Sequence, residues 1–550
     1  MITDPLEDPF YYLNNFQRVL DWLGQRYADV LSIQERGFIG GFSQTDKSSR
    51  ALLVRMVMRK GPLYRASKLR YEEIGATREA VLPLLAKGWV DRQAPLDISQ
   101  LCEVLLKAEL VECFKPHIPN PRLSKAECVE ALLAVFTECM PFEQWCPQVD
   151  DQVYSLPIRE LCDRLRLLFF GNFRQDWSEF VLADLGLLRY ESVDFSADSR
   201  ALRSRADIDT YEQLYACQRA FEAGVPVGEL LATLPARQVD NPWLEGRRAR
   251  LQFRLGQHCE RLAEWSLALA LYTECIHAEA RVRQIRVLER CERFAQALAL
   301  AEQAQLAPRN AAETQQLLRI VPRLRRKLGL PAVAAARAPQ VQRLDLQLPH
   351  DGALESVEHK VRQYLSEDQA PVHYVENTLI NSLFGLLCWP AIFAPVPGAF
   401  FHPFQSGPAD LLHGEFRERR AELFAKCLAQ LDDERYKATI RQHYESKYGL
   451  QSPFVYWGVL DETVLEQALE CLPAEHLKHW FERLLEDIQA NRAGMPDLIQ
   501  FWPEEKRYRM IEVKGPGDRL QDNQLRWLAF CARHQMPVAV CYVQWAEQGA

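Results

Sequence analysis

The feature that most constrains the fold lies near the end of the chain, in GMPDLIQFWPEEKRYRMIEVKGPGDRLQDNQ, residues 494–524. Two apolar-rich runs, LIQFW and YRMIEVK, flank the turn-forming PEEK, and this pattern predicts a β-hairpin. Glu512 and Lys514 stand two residues apart in the second run, so both point to one face of that strand. Because an unpaired charge is costly to bury, we expect these groups to have a use.

The same region predicts a mixed α/β core. The predicted elements are strands at 498–502 and 508–514, a helix at 519–535 and a strand at 537–544. Asp497 enters at the start of the first strand, beside the end of the second. Two carboxylates, Asp497 and Glu512, and the ammonium of Lys514 should therefore meet at one end of the hairpin.

These groups suit hydrolysis of a phosphodiester. Mg²⁺ or Mn²⁺ prefers carboxylate oxygens and keeps several waters. Such an ion polarises the phosphoryl oxygen and lowers the pKa of a bound water. We predict Asp497, Glu512 and the backbone carbonyl of Val513 as ligands, and Lys514 as the group that positions the water.

The remainder of the chain is predicted to be mainly helical. The predicted regions are a helical DNA-binding region at 1–95, a small module at 96–140, a helical linker region at 141–240, helical repeats at 241–345 and the catalytic domain at 346–550. A helix is expected within QDWSEFVLADLGLLRYE (175–191), and 328–343 is interpreted as a linker because it is rich in alanine and proline.

A basic stretch stands out in a chain whose net charge is −8. Between Lys47 and Arg70 there are eight basic residues and no acidic one. Phosphate contact and a solvated helix face are equally good interpretations. The candidate DNA-binding residues here are Arg55, Arg59, Lys60, Arg65, Lys68 and Arg70.

Two further helical patterns point to interaction modules. In 96–136, two short amphipathic helices flank a proline-bearing link, and Ser124 and Glu127 have capping-box spacing. This unit resembles a SAP domain, a DNA-backbone-binding module, although a plain helical hairpin fits the residues as well. EWSLALAL (264–271) and RFAQALAL (293–300) recur at an offset of 29 residues, as in tetratricopeptide-type repeats.

Composition limits the cellular context. The 15 cysteines include no CxxC pair, which indicates reduced thiols in an intracellular protein. No signal peptide is evident. Residues 377–409 contain no Asp, Glu, Lys or Arg, but prolines interrupt them, so a buried helix followed by an irregular packed segment is expected and no membrane span.

The catalytic residues resemble a known superfamily. Pro496-Asp497, fourteen intervening residues and then Glu512-Val513-Lys514 match the PD-(D/E)XK nuclease motif. The flanking GMPDLIQFW and IEVKGPGDRL resemble its VRR-NUC branch. In that branch a glutamine on the following helix lies near the site, which implies a catalytic role for Gln524; an ordinary exposed helix glutamine is the alternative.

VENTLINSLFGLLCWPAIF (375–393) resembles the helix before this core in the Fanconi-associated nuclease family. The resemblance implies that Glu376 is a further metal ligand; a carboxylate placed favourably at a helix N-terminus is the alternative. FRQDWSEFVLADLGLLRYE (173–191) and the order of modules are also similar to that family. The eukaryotic members' zinc finger needs paired Cys and His that are missing here, so a prokaryote-type member without ubiquitin recruitment is expected.

The family implies a structure-selective 5′-flap endonuclease with 5′-to-3′ exonuclease activity in interstrand cross-link repair. The expected partner is flapped or branched duplex DNA, and no membrane association is expected. The expected location is the cytoplasm, at the nucleoid. Whether the chain forms a homodimer is left open. Arg417, Arg420 and Arg519 are further candidates for phosphate contact, although Arg417 and Arg420 could instead pair with neighbouring glutamates. A Holliday-junction resolvase and a catalytically silent helical scaffold are the alternative functions.

Overall fold

The structure, a computed structural model, describes residues 8–118, 120, 122–177, 188–238, 240–332, 340–349 and 355–546. Most of the helix predicted within 175–191 lies outside these residues. The Cα positions separate two compact units, Met1–Arg189 with Leu202–Arg205, and Tyr190–Ala201 with Ala206–Ala550. Among the described residues no helix is both long and apolar enough to cross a bilayer.

The first unit is helical, as predicted. Its helices are α1 (Tyr11–Arg26), α2 (Ile33–Ser43), α3 (Lys47–Met58), α4 (Thr77–Ala80), α5 (Leu82–Ala86), α6 (Ile98–Val104), α7 (Lys107–Cys113), α8 (Lys125–Leu133), α9 (Phe142–Trp145) and α10 (Arg159–Phe170). A short antiparallel pair, β1 (Leu63–Arg65) and β2 (Val153–Ser155), joins segments far apart in sequence and was not predicted. Strands of three residues carry too little alternation to be detected.

Local capping explains where these helices begin. The side chains of Ser32, Asp97 and Ser124 each accept a hydrogen bond from a backbone N–H in the first turn. In return, the side chain of a glutamate or glutamine in that turn accepts a hydrogen bond from the backbone N–H of the capping residue. Such reciprocal bonds satisfy two donors that a helix N-terminus otherwise leaves unpaired. The capping box predicted at Ser124 and Glu127 is therefore confirmed.

Helices α11 to α17 follow one another along the chain. They are α11 (Arg205–Glu222), α12 (Val227–Leu230), α13 (Pro242–Arg261), α14 (Trp265–Thr273), α15 (Ala280–Arg290), α16 (Phe294–Leu306) and α17 (Ala311–Lys327). From α13 onward each helix packs against the next. Gly256 permits the closest approach, because a Cβ there would lie 2.7 Å from the ring of Tyr272.

The repeat at an offset of 29 residues is present in the backbone. Ala263 and Glu292, which occupy equivalent positions, both have left-handed φ angles, 60° and 58°. The residue after each one makes an equivalent backbone hydrogen bond. The N–H of Glu264 donates to the carbonyl of Cys259, and the N–H of Arg293 donates to the carbonyl of Leu288. Helices α14 and α16 then begin one residue later with Trp265 and Phe294.

The catalytic core is a mixed five-stranded sheet with the order β3-β7-β6-β5-β4. Its strands are β3 (Gln342–Pro349), β4 (Val372–Tyr374), β5 (Leu498–Trp502), β6 (Arg507–Lys514) and β7 (Val538–Ala546). The pairs β4–β5 and β5–β6 are antiparallel, and β6–β7 and β3–β7 are parallel. The predicted hairpin, crossover helix and final strand are confirmed.

Helices cover both faces of this sheet. They are α18 (Val357–Leu365), α19 (Leu379–Leu387), α20 (Trp389–Ile392), α21 (Ala421–Leu428), α22 (Arg435–Ser446), α23 (Glu462–Cys471), α24 (Ala474–Glu486), α25 (Ile488–Asn491) and α26 (Asp522–Arg533). Ile511 and Val513 pack with Val361 of α18 on one face. Met510 and Val540 pack with Trp527 of α26 on the other.

The start of this sheet shortens the linker predicted at 328–343 by its last two residues, Gln342 and Arg343. Strand β3 already begins at Gln342 and pairs with β7 along its whole length. It lies at the sheet edge and is mostly exposed, so its side chains are polar at every second position. The helix expected after residue 377 is confirmed as α19, all of whose residues are buried.

Candidate active site

The hairpin brings the predicted catalytic residues together at one end of the sheet. Strand β5 pairs with β6 so that Leu498 faces Ile511, which places Asp497 next to the end of β6. The carboxylate of Asp497 accepts a hydrogen bond of 2.8 Å from the N–H of Val513. Nζ of Lys514 lies 2.7 Å from Oε1 of Glu512. Alternation along β6 thus turns Glu512 and Lys514 to the same face, as predicted.

All three side chains are buried, with exposed fractions of 7% for Asp497, 0% for Glu512 and 8% for Lys514. Lys514 forms a buried ion pair with Glu512, and this pair lowers the pKa of Glu512 against the larger effect of burial. Apart from this ion pair, neither oxygen of Glu512 accepts a hydrogen bond from the described residues. Burial and the charge of Asp497 disfavour the ionised carboxylate more than Lys514 favours it, so this position is maintained at a cost to stability.

The electrostatics of the site follow from burial and from charge crowding. Burial, with the charge of Glu376 adding to it, raises the pKa of Asp497 to about 6, although the N–H of Val513 and the ammonium of Lys514 oppose the rise. Burial and then the charge of Asp497 raise the pKa of Glu512 to about 7. Strongly perturbed carboxyl groups of this kind are typical of functional sites.

Glu376 lies two residues beyond strand β4, which is the neighbour of β5 in the sheet. Its two carboxylate oxygens accept hydrogen bonds from Tyr374 at 2.5 Å and from Asn377 at 3.1 Å. The charge of Glu376 acts on both Asp497 and Glu512. The structure therefore brings Glu376 to the same end of the sheet, where its role as a ligand stays a prediction.

The segment before Asp497 is fixed by its neighbours. Gly494 has a left-handed φ of 93°, and a Cβ there would lie 2.8 Å from atoms of Asn523, in the first turn of α26. The indole N–H of Trp527 donates to the carbonyl of Asn491 at 3.1 Å. The Asp497 turn and helix α26 are thus packed in direct contact.

Gln524 lies in that first turn of α26 and is half-buried. Its side-chain oxygen accepts a hydrogen bond of 2.8 Å from the N–H of Gln521 and so forms part of a capping box. Gln524 thus helps to cap α26, and within the described residues it makes no hydrogen bond to the three carboxylates. Its catalytic role stays a prediction.

The donor set fits a hard divalent cation by its chemistry. Glu376, Asp497 and Glu512 supply carboxylate oxygens, and those of Glu512 have no competing hydrogen bond. Within the described part of the chain, no three His, Cys, Asp or Glu side chains are close enough to form a ligand cluster as they stand. Like charges repel one another, so a set that closes only around a cation is expected to stand apart without it.

Three of the arginines predicted to contact phosphate form internal ion pairs in the structure, which disfavours that role without testing it. Arg420 is fully buried and binds Asp410 through two hydrogen bonds of 2.9 Å, and not the neighbouring glutamates. Arg65 is buried between Asp151 and Glu109, at 2.7 Å and 2.5 Å.

Arg55 is the third of these arginines. It pairs with Glu73 at 2.6 Å, and its guanidinium stacks 3.8 Å from the ring centre of Tyr12. The other candidates are exposed and remain predictions: Arg59, Lys60, Lys68, Arg70, Arg417 and Arg519.

Three family models match the chain. The model described as "VRR-NUC domain" matches residues 431–545. The model "FAN1, HTH domain" matches 10–91, and "Fanconi anemia-associated nuclease SAP domain" matches 95–145. The SAP resemblance is thereby confirmed over the plain helical hairpin.

Relatives cover nearly the whole chain. The Fanconi-associated nuclease 1 homolog of Pseudomonas aeruginosa is 59% identical over 540 residues, 98% of this chain and 97% of that protein. The Fanconi-associated nuclease 1 of Homo sapiens is 23% identical, and the match spans 97% of this chain and 62% of the human protein. A crystal structure of paFAN1 bound to DNA with a 2-nucleotide 5′ flap and a gap has 58% identity and a TM-score of 0.91, covering 99% of this chain and 100% of that one.

A mixed sheet that carries Asp497, Glu512 and Lys514 at the end of a hairpin, within a matched VRR-NUC domain, defines a nuclease. Helical HTH and SAP domains precede it in the chain. With this identity over almost its entire length, the chain belongs to the Fanconi-associated nuclease 1 family.

Proposed function

We propose that this chain is a metal-dependent, structure-selective DNA nuclease that cuts 5′ flaps, degrades DNA from 5′ to 3′ and serves interstrand cross-link repair. One observation carries the proposal: the complete set of Asp497, Glu512 and Lys514 is buried at one end of the hairpin. The relative of 58% identity that binds 5′-flap DNA supports the choice of substrate.

Mg²⁺ or Mn²⁺ would be held by Glu376, Asp497, Glu512 and the carbonyl of Val513. When bound, the ion supplies a Lewis acid and a water of lowered pKa. Lys514 is already beside Glu512 and largely removed from solvent. Its ammonium holds the attacking water and stabilises the negative charge that develops on the phosphoryl oxygens. The Val513 N–H fixes the orientation of Asp497.

Cleavage of one labelled 5′-flap duplex, beside matched 3′-flap and four-way junction substrates, tests this function. We expect cutting near the 5′-flap junction in Mg²⁺ and Mn²⁺, none in EDTA, and a loss of at least about a hundredfold in Asp497→Asn. Asparagine retains an oxygen for the Val513 N–H, so the fold is kept.

Other outcomes would redirect the assignment. Cutting of the four-way junction alone would indicate a resolvase, and no cutting in any metal would indicate a silent scaffold. Degradation of a duplex labelled at its 3′ end tests the exonuclease direction. Light scattering of the DNA complex decides between one and two chains per DNA.

We further propose that exposed basic residues of the first unit bind the duplex backbone. Lys60, Lys68 and Arg70 are exposed and lie within the stretch that has no acidic residue. In Lys60→Gln/Lys68→Gln/Arg70→Gln, we expect weaker DNA binding and a salt dependence reduced by about 0.9 in log–log slope for each phosphate that the variant no longer neutralises. Fluorescence anisotropy at several salt concentrations measures both.

Lys478→Gln is the matched control, because that lysine is partly exposed but paired with Asp432 at 2.8 Å. An unchanged salt slope in the triple variant would contradict the proposed role of these residues. We place the activity in the cytoplasm, at the nucleoid, on the basis of the bacterial relative that matches nearly the whole chain. A fluorescent fusion that fails to follow DNA in the bacterial cell would contradict this localisation.

A further inference from the structure

Glu376 differs from the other two carboxylates in that protein donors hold both of its oxygens. The hydroxyl of Tyr374 donates to Oε2 at 2.5 Å, and Nδ2 of Asn377 donates to Oε1 at 3.1 Å. Hydrogen bonds to a charged acceptor are shorter and stronger than neutral ones. The orientation of this carboxylate is thus defined by two flanking side chains.

Each donor is in turn tied to the turn that carries Asp497. Tyr374 is the last residue of β4 and pairs with Leu498, the residue after Asp497. Asn377 accepts a hydrogen bond of 3.0 Å from the N–H of Met495, two residues before Asp497. Glu376 is therefore linked to both sides of Asp497 by short connections.

Asn377 is also fixed by its own backbone. Its φ of 54° is left-handed, a conformation that asparagine tolerates better than most residues. Its carbonyl accepts a hydrogen bond of 2.7 Å from Nδ2 of the buried Asn381, which also donates to the carbonyl of Arg492 at 2.9 Å. One chain of hydrogen bonds thus joins α19, the Glu376 turn and the segment before Asp497.

Without these donors, rotation of the side chain would let the carboxylate of Glu376 leave the orientation that the two hydrogen bonds define. Its carboxylate interacts unfavourably with the charges of Asp497 and Glu512. Tyr374 is exposed over 43% of its surface, so water beside it can solvate a Glu376 carboxylate that has lost its protein donors.

We propose that Tyr374 and Asn377 are positioning residues that hold Glu376 where it ligates the divalent cation together with Asp497 and Glu512. This inference rests on the metal site of the proposed function. Groups that hydrogen bond to a ligating carboxylate orient it, and their loss typically weakens metal binding 10- to 100-fold. Neither residue needs to touch DNA or the reacting phosphate for this role.

The test is Mn²⁺ binding to the full chain, followed by the electron paramagnetic resonance signal of the free ion. Tyr374→Phe removes only the hydroxyl, and Asn377→Gly removes the amide while permitting the left-handed φ. Each variant is expected to bind Mn²⁺ about tenfold more weakly. Saturating Mn²⁺ should restore the cleavage rate of both variants. In EDTA, Tyr374→Phe should unfold at the temperature of the wild type, whereas Asn377→Gly should unfold somewhat lower because it also loses the bond from the N–H of Met495.

Tyr444→Phe is the control, because it removes a tyrosine hydroxyl that donates to the carbonyl of Leu460 at 3.2 Å. Equal Mn²⁺ affinity in wild type and both variants would overturn the positioning role alone. Tighter binding in the variants would also overturn it, since the donors would then hold Glu376 away from the ion. Failure of the wild type to bind Mn²⁺ would remove the metal site itself and this inference with it.

Discussion

Glu512→Gln is expected to abolish cleavage and, at the same time, to stabilise the metal-free protein. Loss of the carboxylate should lower the cleavage rate on the order of 10³-fold, equivalent to several kcal/mol of stabilisation by the ion. The stability gain is a net effect, because burial and the charge of Asp497 disfavour the ionised carboxylate more than its ion pair with Lys514 at 2.7 Å favours it. Glutamine has nearly the same shape and carries no charge.

The gain should depend on pH in a defined direction. The pKa of Glu512 is raised to about 7 in the folded chain, whereas an unfolded glutamate has a pKa of about 4.3. Between these values the folded state binds the extra proton, so stability falls as the pH rises. We expect Glu512→Gln to be more stable than the wild type by on the order of 2 kcal/mol at pH 8, and equal to it near pH 4 to 5.

Thermal unfolding in EDTA at the two pH values measures this difference. Glu466→Gln is the control, since that glutamate is partly exposed and paired with Arg441 at 2.6 Å, and its loss should slightly lower stability at pH 8. A Glu512→Gln variant that unfolds at a lower temperature than the wild type at pH 8 would show that the ion pair with Lys514 outweighs the cost of burial and the charge of Asp497. That result would contradict the interpretation of the site as one maintained for catalysis.

Gly494→Ala is expected to impair both folding and cleavage. The added Cβ would lie 2.8 Å from the backbone carbon and two side-chain atoms of Asn523, and φ is 93°. Overpacking and left-handed strain each cost on the order of 1 to 3 kcal/mol, so a loss of about 3 kcal/mol is expected. Relief of the clash separates the Asp497 turn from α26, and the displacement should lower the cleavage rate at least tenfold.

Gly517→Ala separates the two causes, because Gly517 has a similar φ of 89° and nothing within 4 Å of the added Cβ. Strain alone should cost that variant about 1 kcal/mol. Chemical denaturation and flap cleavage of both variants provide the comparison. If Gly494→Ala and Gly517→Ala were equally stable and active, the packing against Asn523 would not be what keeps the turn in place.

The parts of the fold that could be predicted are those with local signals. Alternation in LIQFW and YRMIEVK, with a turn between them, predicts β5 and β6 within a residue of their observed ends. Strand β4 has only three residues and therefore little alternation, whereas β3 alternates Leu344, Leu346 and Leu348 with polar residues, a signal that the linker prediction missed. The predicted repeat was visible because two alanine-rich helices begin with an aromatic residue.

The site could be predicted only where its residues are neighbours in the chain. Asp497, Glu512 and Lys514 lie on one hairpin, which brings them together by local geometry. Whether an arginine is free for DNA depends instead on distant partners. The partner Asp151 of Arg65 is 86 residues away in the chain, and no local pattern distinguishes Arg65 from the exposed Lys68.

The edge strand β3 has a consequence for the order in which the protein assembles. It pairs in parallel with β7, so that Gln342 meets Ala539 about 200 residues later in the chain. Pairing over such a distance is slow, because a long loop must close before the contact stabilises it. During synthesis the HTH and SAP domains leave the ribosome long before β7 exists, and domains generally fold as units from the N-terminus. The HTH and SAP domains can thus be folded before the sheet that carries Asp497 and Glu512 is complete.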